Sequence, residues 1–574
     1  MWFLSRSHGP KAGRTAARLS RFLPRLEILE DRTALSTLTV LNNHDSGVGS
    51  LRDAIGHAID GDTIAFDPGL DGQTIALTSD GLPIKKSLDI EGPGAGLLAV
   101  SGSDQFRAFD ISEGLTVTIA GLTIKRGRAG ESGGGGILNV GSTLTVACDV
   151  LTYNEALVSS VSSISGGGAI CNRNGATLTV TDCTFVGNEA LGGDQGGSAF
   201  GGAILNRAST ATVRASTFLG NRVVGGNGGE VAGSHILVGL AVGGGIKNSG
   251  GGILTVENST FRSNQAIGGN GGSGGNGAAL YLVDNGAGGG IAGSDDTICF
   301  VSGCTFSYNQ AIGGSYARGG TSGQGLLGNA NGGGLFNDHV TIVTSCTFDH
   351  NEAIAGNHNG GGSGSILFGR AAGGGISSYV TFSPVSLAVS NCSFINNRAL
   401  GGVGNASGPF SGDSTGGGLS NSLGATATIN NCLFTGNQAI GGAGVSGATA
   451  RDGLGGGITN SLGGTLFITG CAFTNNQALG GAGNPGADGG NGFGGGLYND
   501  GSSSLTVTGS TVTGNSASGG AAGSGGTAGQ GIGGGGYLAS GGSVCLDAFT
   551  VAHIFGNTAS TTNNDIFGIF TICP

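Results

Sequence analysis

Along most of the chain, apolar and polar residues alternate in short runs cut every few residues by Gly or Asn, and the same run keeps returning. A recurring C-x-F-x-x-N word aligns the copies on Phe185, Phe218, Phe261, Phe306, Phe348, Phe394, Phe434 and Phe473, with Val512 in the ninth. Five residues before each stands a β-branched residue, for example Val180, Val256, Val343 and Ile468, as the inward position of a strand prefers. Three residues after it comes Asn in all nine copies, from Asn188 through Asn351 to Asn515. Upstream, each copy opens on Gly-Gly and an aliphatic (Ile170, Ile204, Ile246, Ile291), with Asn two residues on as Asn139, Asn172, Asn206 and Asn248. Alternation of period two, punctuated by Gly and Asn, predicts strand and bend rather than helix. One copy reads as three short strands.

A single such copy has no second layer on which to bury its inward row, whereas copies stacked at about 4.8 Å do so through parallel ladders, each column touching itself. The predicted fold is all-β, a single-stranded right-handed parallel β-helix of about eleven regular coils, roughly 50 Å long. Divergent N-terminal coils and a short capping helix precede them. The Asn columns read as amide ladders that satisfy bend carbonyls. Residues 1–36 read as a basic leader, 37–130 as the N-terminal cap and first divergent coils, 131–546 as the Gly-rich repeats and 547–574 as the C-terminal cap. In the opening segment Ser50, Leu51, Arg52 and Asp53 form a capping-box word with Asp in place of Glu, predicting a helix through Leu51, Ala54, Ile55, Ala58 and Ile59.

Length varies in one place. From the opening aliphatic to the Phe the count is mostly 15 residues, but from the Asn to the next aliphatic it runs from 16 to 27. The Gly-rich extra residues, such as 225–242 and 268–287, read as loops leaving one edge of the helix.

Composition narrows the function. Gly supplies 127 of 574 residues without a three-residue period, charged residues are 10% and mean hydropathy is +0.15, which excludes collagen and a charged disordered chain. Net charge is -11, and residues 1–36 hold seven Lys/Arg against three Asp/Glu, so the rest is more acidic still. Such a body does not attract nucleic acid. No apolar run reaches the roughly 18 residues of a membrane span. Cys183, Cys304, Cys346, Cys392, Cys432 and Cys471 all sit two residues before the Phe, where other copies carry Ser216, Ser259 and Ser510, so the slot takes a small inward side chain and the thiols read as free, with disulfides between neighbouring rungs, whose α-carbons lie within bridging distance, as the alternative.

The pairing of Gly-Gly-x-Ile (Gly167 to Ile170, Gly243 to Ile246) with Phe-x-x-Asn (Phe185 to Asn188, Phe261 to Asn264) resembles the polymorphic outer-membrane protein repeat of the pectin-lyase-like superfamily over about residues 133–540. Gly49 to Ile55 resembles the CSLREA-type start of bacterial β-helix proteins, with Gly49 in place of Cys. Pro24 to Ser36, PRLEILEDRTALS, resembles the LE-x-LEDR leader of bacterial surface proteins. These resemblances imply an extracellular or cell-envelope location and a binding, adhesive or spacing role, with a polysaccharide or another surface protein as partner and the chain working as a monomer. The same superfamily includes polysaccharide lyases and glycoside hydrolases, the alternative function. Their chemistry needs clustered carboxylates, but Asp182, Asp295, Asp296, Asp338, Asp349 and Asp500 fall in different copies and columns. The adjacent pair Asp295 and Asp296 is the strongest candidate among them, and the sequence assigns no catalytic, cofactor or metal residue. A polar stripe after the Asn column (Glu189, Arg222, Gln265, Gln310, Glu352, Arg398, Gln438, Gln477) is a second candidate surface, for glycan.

Overall fold

One coil shows how the residues build the rest. Ile170–Arg173 and Thr177–Thr181 lie in a first sheet, Thr184–Val186 in a second, Glu189–Gly192 in a third and Ala199–Phe200 in a fourth. Each strand pairs in parallel with its counterpart one coil on: Ile170 with Ile204, Val180 with Val213, Phe185 with Phe218, Ala190 with Val223 and Ala199 with Ala241. A coil therefore carries five strand segments on four sheets, not three. The chain is a right-handed parallel β-helix. The computed structural model describes residues 36–573 apart from 159–164, 232–236, 276–279, 321–323, 361–366, 382–383, 407–410 and 445–448. Among the described residues the four sheets hold 28, 14, 12 and 10 strands. The basic segment and all but the last residue of the leader-like word lie outside them.

The columns inferred from sequence are the core. The eight Phe rings stack face to face, neighbouring centroids 4.5–4.9 Å apart and planes within 9°. With the Val/Ile and opening aliphatic columns they form one continuous cluster. Burial of each large side chain contributes roughly 1.5–3 kcal/mol. The Cys slot is inward, each thiol at most 3% exposed. At the N-terminal end α1 (Leu51–His57) is capped by Ser50, whose hydroxyl accepts the Asp53 N–H. The Asp53 carboxylate reaches back to the Gly49 N–H, one residue beyond the N-cap N–H that the usual reciprocal box engages. Leu51, Ala54 and Ile55 join the main core. The helix stops at His57, however, and Ile59 is exposed rather than part of its apolar face.

At the far end the columns persist past residue 546. Ile554 continues the Phe column and Ala559 the small-residue column, and Asn557 carries on the Asn ladder. A short helix, α2 (Ala548–Ala552), stands where other coils run straight from strand to strand. Cys545 and Cys573 on adjacent rungs form a disulfide, which the spacing of the other cysteines did not foreshadow.

The largest departure concerns the variable segments. Residues 225–242 and 268–287, expected as loops, contain strands Leu237–Val238, Ala241–Val242, Leu280–Val283 and Gly286–Ala287. The second strand of each segment belongs to the fourth sheet. The first, with Gln324–Leu327 and Leu367–Phe368, builds a separate four-stranded side sheet. Its alternating residues serve two cores. Leu237, Leu282, Leu326 and Leu367 face the main helix, while Val238, Tyr281, Val283, Leu327 and Phe368 pack with Val231 and Ala317 into a small core of their own.

Candidate functional site

Where the fourth sheet turns into the first, the chain makes a Gly-Gly corner. Gly243 takes φ +79°, and a Cβ on Gly244 would stand 2.3 Å from the Gly289 carbonyl oxygen, so no larger residue fits that approach. The two strands meet there in a crease along the outside of the helix. Ile246 and Asn248 point inward, so by the two-residue period Lys247 between them points outward into the crease. So do its register partners Leu205, Ala292 and Phe336. Outward residues of a β-helix ordinarily meet water. Here the side sheet roofs the central coils, and Lys247 is only 1% exposed.

The roof leaves a cavity of about 200 Å³ walled by Phe200, Leu240, Val242 and Phe336. Tyr379 lies 5.0 Å from Phe336, its ring tilted by 53°. Polar groups also line it, Lys247, Ser294, Asp295 and Asp338 among them. Lys247 Nζ donates to Ser294 Oγ, and that hydroxyl donates to Asp295 Oδ2 at 3.1 Å. Asp338, 8% exposed, accepts the Thr381 N–H at 2.8 Å. Burial shifts all three titrating groups of this interior away from their charged forms. It lowers the Lys247 ammonium, with Asp295 and Asp338 opposing, pushes the Asp338 carboxyl up to about 6, and raises the Tyr379 phenol. An apolar chamber holding an amine, a carboxyl and a phenol can bind a compact ligand and exchange protons with it.

Two of the six aspartates named from sequence, Asp295 and Asp338, thus meet in one place. Asp296 instead faces His339 at 3.8 Å. Asp182 occupies an exposed bend with φ +53°, Asp349 holds His350 at 2.7 Å, and Asp500 accepts from Ser502, Ser503 and the Leu462 N–H. Lys247, Phe336 and Tyr379 were missed, because the strand period alone places Lys247 and Phe336 on a solvent face. A signal was present: Lys247 is the one lysine of residues 131–546, and the nearest coils hold Cys171, Leu205, Ala292 and Phe336 in its column.

The polar stripe proves to be largely self-satisfied. Arg222 pairs with Glu189 at 2.8 Å, Gln265 donates to Gln310 and Gln310 to Glu352, Arg398 binds Glu352 at 3.0 Å and Gln438 donates to Gln477. Further along the crease, Arg370 is fully enclosed and donates to Thr415 Oγ1 at 2.9 Å, while burial pushes the neighbouring Asp413 carboxyl up to about 7. Small residues such as Ser377 and Ser420 close the crease there. Among the described residues no group of three or more His, Cys, Asp or Glu is placed to hold a metal ion, and no helix is long and apolar enough to cross a membrane.

No family model matches the chain. No curated protein matches it either. Solved structures similar to it include the catalytic unit of a thermostable α-1,3-glucanase from Streptomyces thermodiastaticus, 13% identical with a TM-score of 0.27, covering 74% of this chain and 66% of the glucanase unit. An alginate lyase from a Paenibacillus species is 10% identical with a TM-score of 0.25, covering 62% of this chain and 94% of the lyase. A mannuronic acid specific polysaccharide lyase from human gut microbiota is 10% identical with a TM-score of 0.27, covering 72% and 82%. The chain therefore spans just under two thirds of the glucanase unit and most of the two lyases.

Proposed function

We propose that this is an exported bacterial surface protein that binds polysaccharide, with the roofed crease of the central coils as its binding site. The observation that carries the reading is the cavity itself: aromatic and aliphatic walls with a few convergent polar groups form the kind of concave site that orients a ligand, here gripping one unit of an extended glycan. The repeat resemblance to a surface-exposed adhesive family and the leader-like word support export and an extracellular or cell-envelope location. The helix α1 in the first coil suits a chain that works as a monomer, since it leaves less open edge for rung-to-rung polymerisation at that end.

A second reading is a polysaccharide lyase or glycoside hydrolase. It is favoured by one specific observation, that Asp338, Asp295 and Lys247 line one cavity and interact electrostatically. One experiment separates the two. The full-length chain and its Phe336→Ala variant are passed over a glycan array and a panel of soluble polysaccharides, with product analysis. Retention without product, weakened by Phe336→Ala, is the expected result. Product formation would move the function to the enzyme reading, and neither retention nor product would overturn both.

A further inference from the structure

The chain has five lysines, Lys11, Lys85, Lys86, Lys125 and Lys247. Lys85 and Lys86 are exposed and Lys125 half-buried, as suits a strongly hydrated ammonium. Lys247 is the reverse. Its stem runs into an apolar chamber, and its amine hydrogen-bonds to the neutral hydroxyl of Ser294, with the Asp295 carboxylate one hydrogen bond further on. An amine taken out of water gives up its proton more readily, and its free lone pair is then a nucleophile. Asp338 borders the same cavity and is held by burial near the point where it can give or take a proton around neutral pH. With two carboxyl groups beside the amine the chamber does not favour an anion. Its walls suit a small, neutral, largely apolar molecule.

From the enclosed amine, the apolar chamber around it and the carboxyl at its edge, we propose that Lys247 is a carbonyl-capturing residue that takes a small aldehyde as an imine. The Nζ lone pair attacks the carbonyl carbon, forming a C–N bond while the carbonyl π-pair moves to oxygen. The oxygen takes up two protons, one from the amine nitrogen and one by way of Asp338, and leaves as water. The nitrogen lone pair closes the C=N bond, and the remaining N–H proton returns to Asp338. The sum is amine plus aldehyde giving imine plus water, with no oxidant or reductant consumed. The site shares the cavity assigned above to a glycan unit, and its test reads the Lys247 amine alone, with no glycan present.

The test uses the full-length folded protein, benzaldehyde at pH 7 and sodium cyanoborohydride, which fixes any imine as a benzyl-amine, followed by peptide mass mapping. The expected result is benzylation of Lys247 at least about tenfold ahead of Lys85 and Lys86, although those two are far more exposed. Asp338→Asn should slow labelling of Lys247 without changing that of Lys85. Labelling of Lys85 and Lys86 equal to or ahead of Lys247, or modification of Lys247 only after unfolding in urea, would overturn the proposal. The central comparison is made within the unaltered protein, so it does not depend on a variant that folds.

Discussion

Asn351 donates one Nδ2 hydrogen to Oδ1 of Asn397, one rung on, at 2.9 Å, and another to the backbone carbonyl of Phe306, one rung back, also at 2.9 Å. The same Oδ1 of Asn397 also takes the backbone N–H of Asn351 at 3.0 Å. The pattern repeats along the column, and Asn515, the last Asn legible from the repeat, is not its end. It donates to Asn557, which in turn donates to Asp565. Asn351→Leu and Asn515→Leu should therefore destabilise alike, by about 1–3 kcal/mol each, the cost of leaving buried partners unpaired. Denaturant midpoints check this. A markedly smaller loss at Asn515 would mean that the C-terminal rung is not formed in solution.

Thiol accessibility follows from the column geometry. Nine of the eleven cysteines are free, Cys148 is exposed and the other eight are buried, while Cys545 and Cys573 are joined. Desolvation raises the Cys171, Cys183 and Cys299 thiols, Cys183 to about 12, and the inward position shields the rest of the column from reagent. A non-reducing titration should label one thiol in the folded protein and nine after unfolding, with all eleven reached after reduction. Rapid native labelling of Cys346, Cys392, Cys432 or Cys471 would contradict the inward assignment of that slot.

How far the sequence could be read follows from which interactions repeat. The Phe, Val, Asn and Cys columns were legible because each residue's partner is its own equivalent one coil away, so packing repeats the word. The side sheet was not legible: its strands are two to four residues long, set among Gly, and they pack against Leu205 and Phe336, which the period alone places in solvent. The site inherits that blindness. Asp295 and Asp338 attracted attention as carboxylates, but nothing in a period-two reading tells that Lys247 and Tyr379 are roofed over with them. The Cys545–Cys573 pair escaped for the opposite reason, since Cys573 lies beyond the last recognisable repeat word.

The variable segments should therefore not behave as dispensable loops. Tyr281 is fully buried in the side sheet's own core, and its hydroxyl accepts the Gly320 N–H at 2.8 Å. Tyr281→Ala should cost about 3–5 kcal/mol, the range for deleting a large aromatic from a core. Shortening 225–242 and 268–287 should unroof Lys247 and expose Leu205 and Phe336. Hydrogen exchange localises the effect: protection should fall in the side-sheet strands left in place, Gln324–Leu327 and Leu367–Phe368, while the Phe-column strands stay protected. Unchanged exchange throughout would restore the reading of these segments as passive spacers.

A buried acid in the Cys/Ser slot supplies a pH prediction. Asp149 occupies the slot taken by Cys183 and Ser216 in the next coils, is 1% exposed, and accepts the Leu122 N–H at 2.6 Å through one oxygen while the other has no partner. Desolvation, only partly offset by those backbone hydrogen bonds, pushes its carboxyl up to about 8. In the unfolded chain the same group titrates near its ordinary value of about 4. Between those two values the folded protein keeps a proton that the unfolded chain has released. Stability from this group is therefore full below about pH 4, falls as the pH rises, and reaches its floor above about 8. Serine suits the slot at any pH, since Ser216 both accepts the Cys183 N–H and donates to the Arg214 carbonyl. Asp149→Ser should accordingly be near neutral at pH 4–5 and stabilising by on the order of a few kcal/mol at pH 8.5. Burial also raises Asp284 and Asp413, and both remain in the variant, so the informative quantity is the difference in slope between the two proteins. Denaturant midpoints at pH 5 and 8.5 measure it, and parallel pH profiles for parent and variant would show that Asp149 is ionised at no such cost.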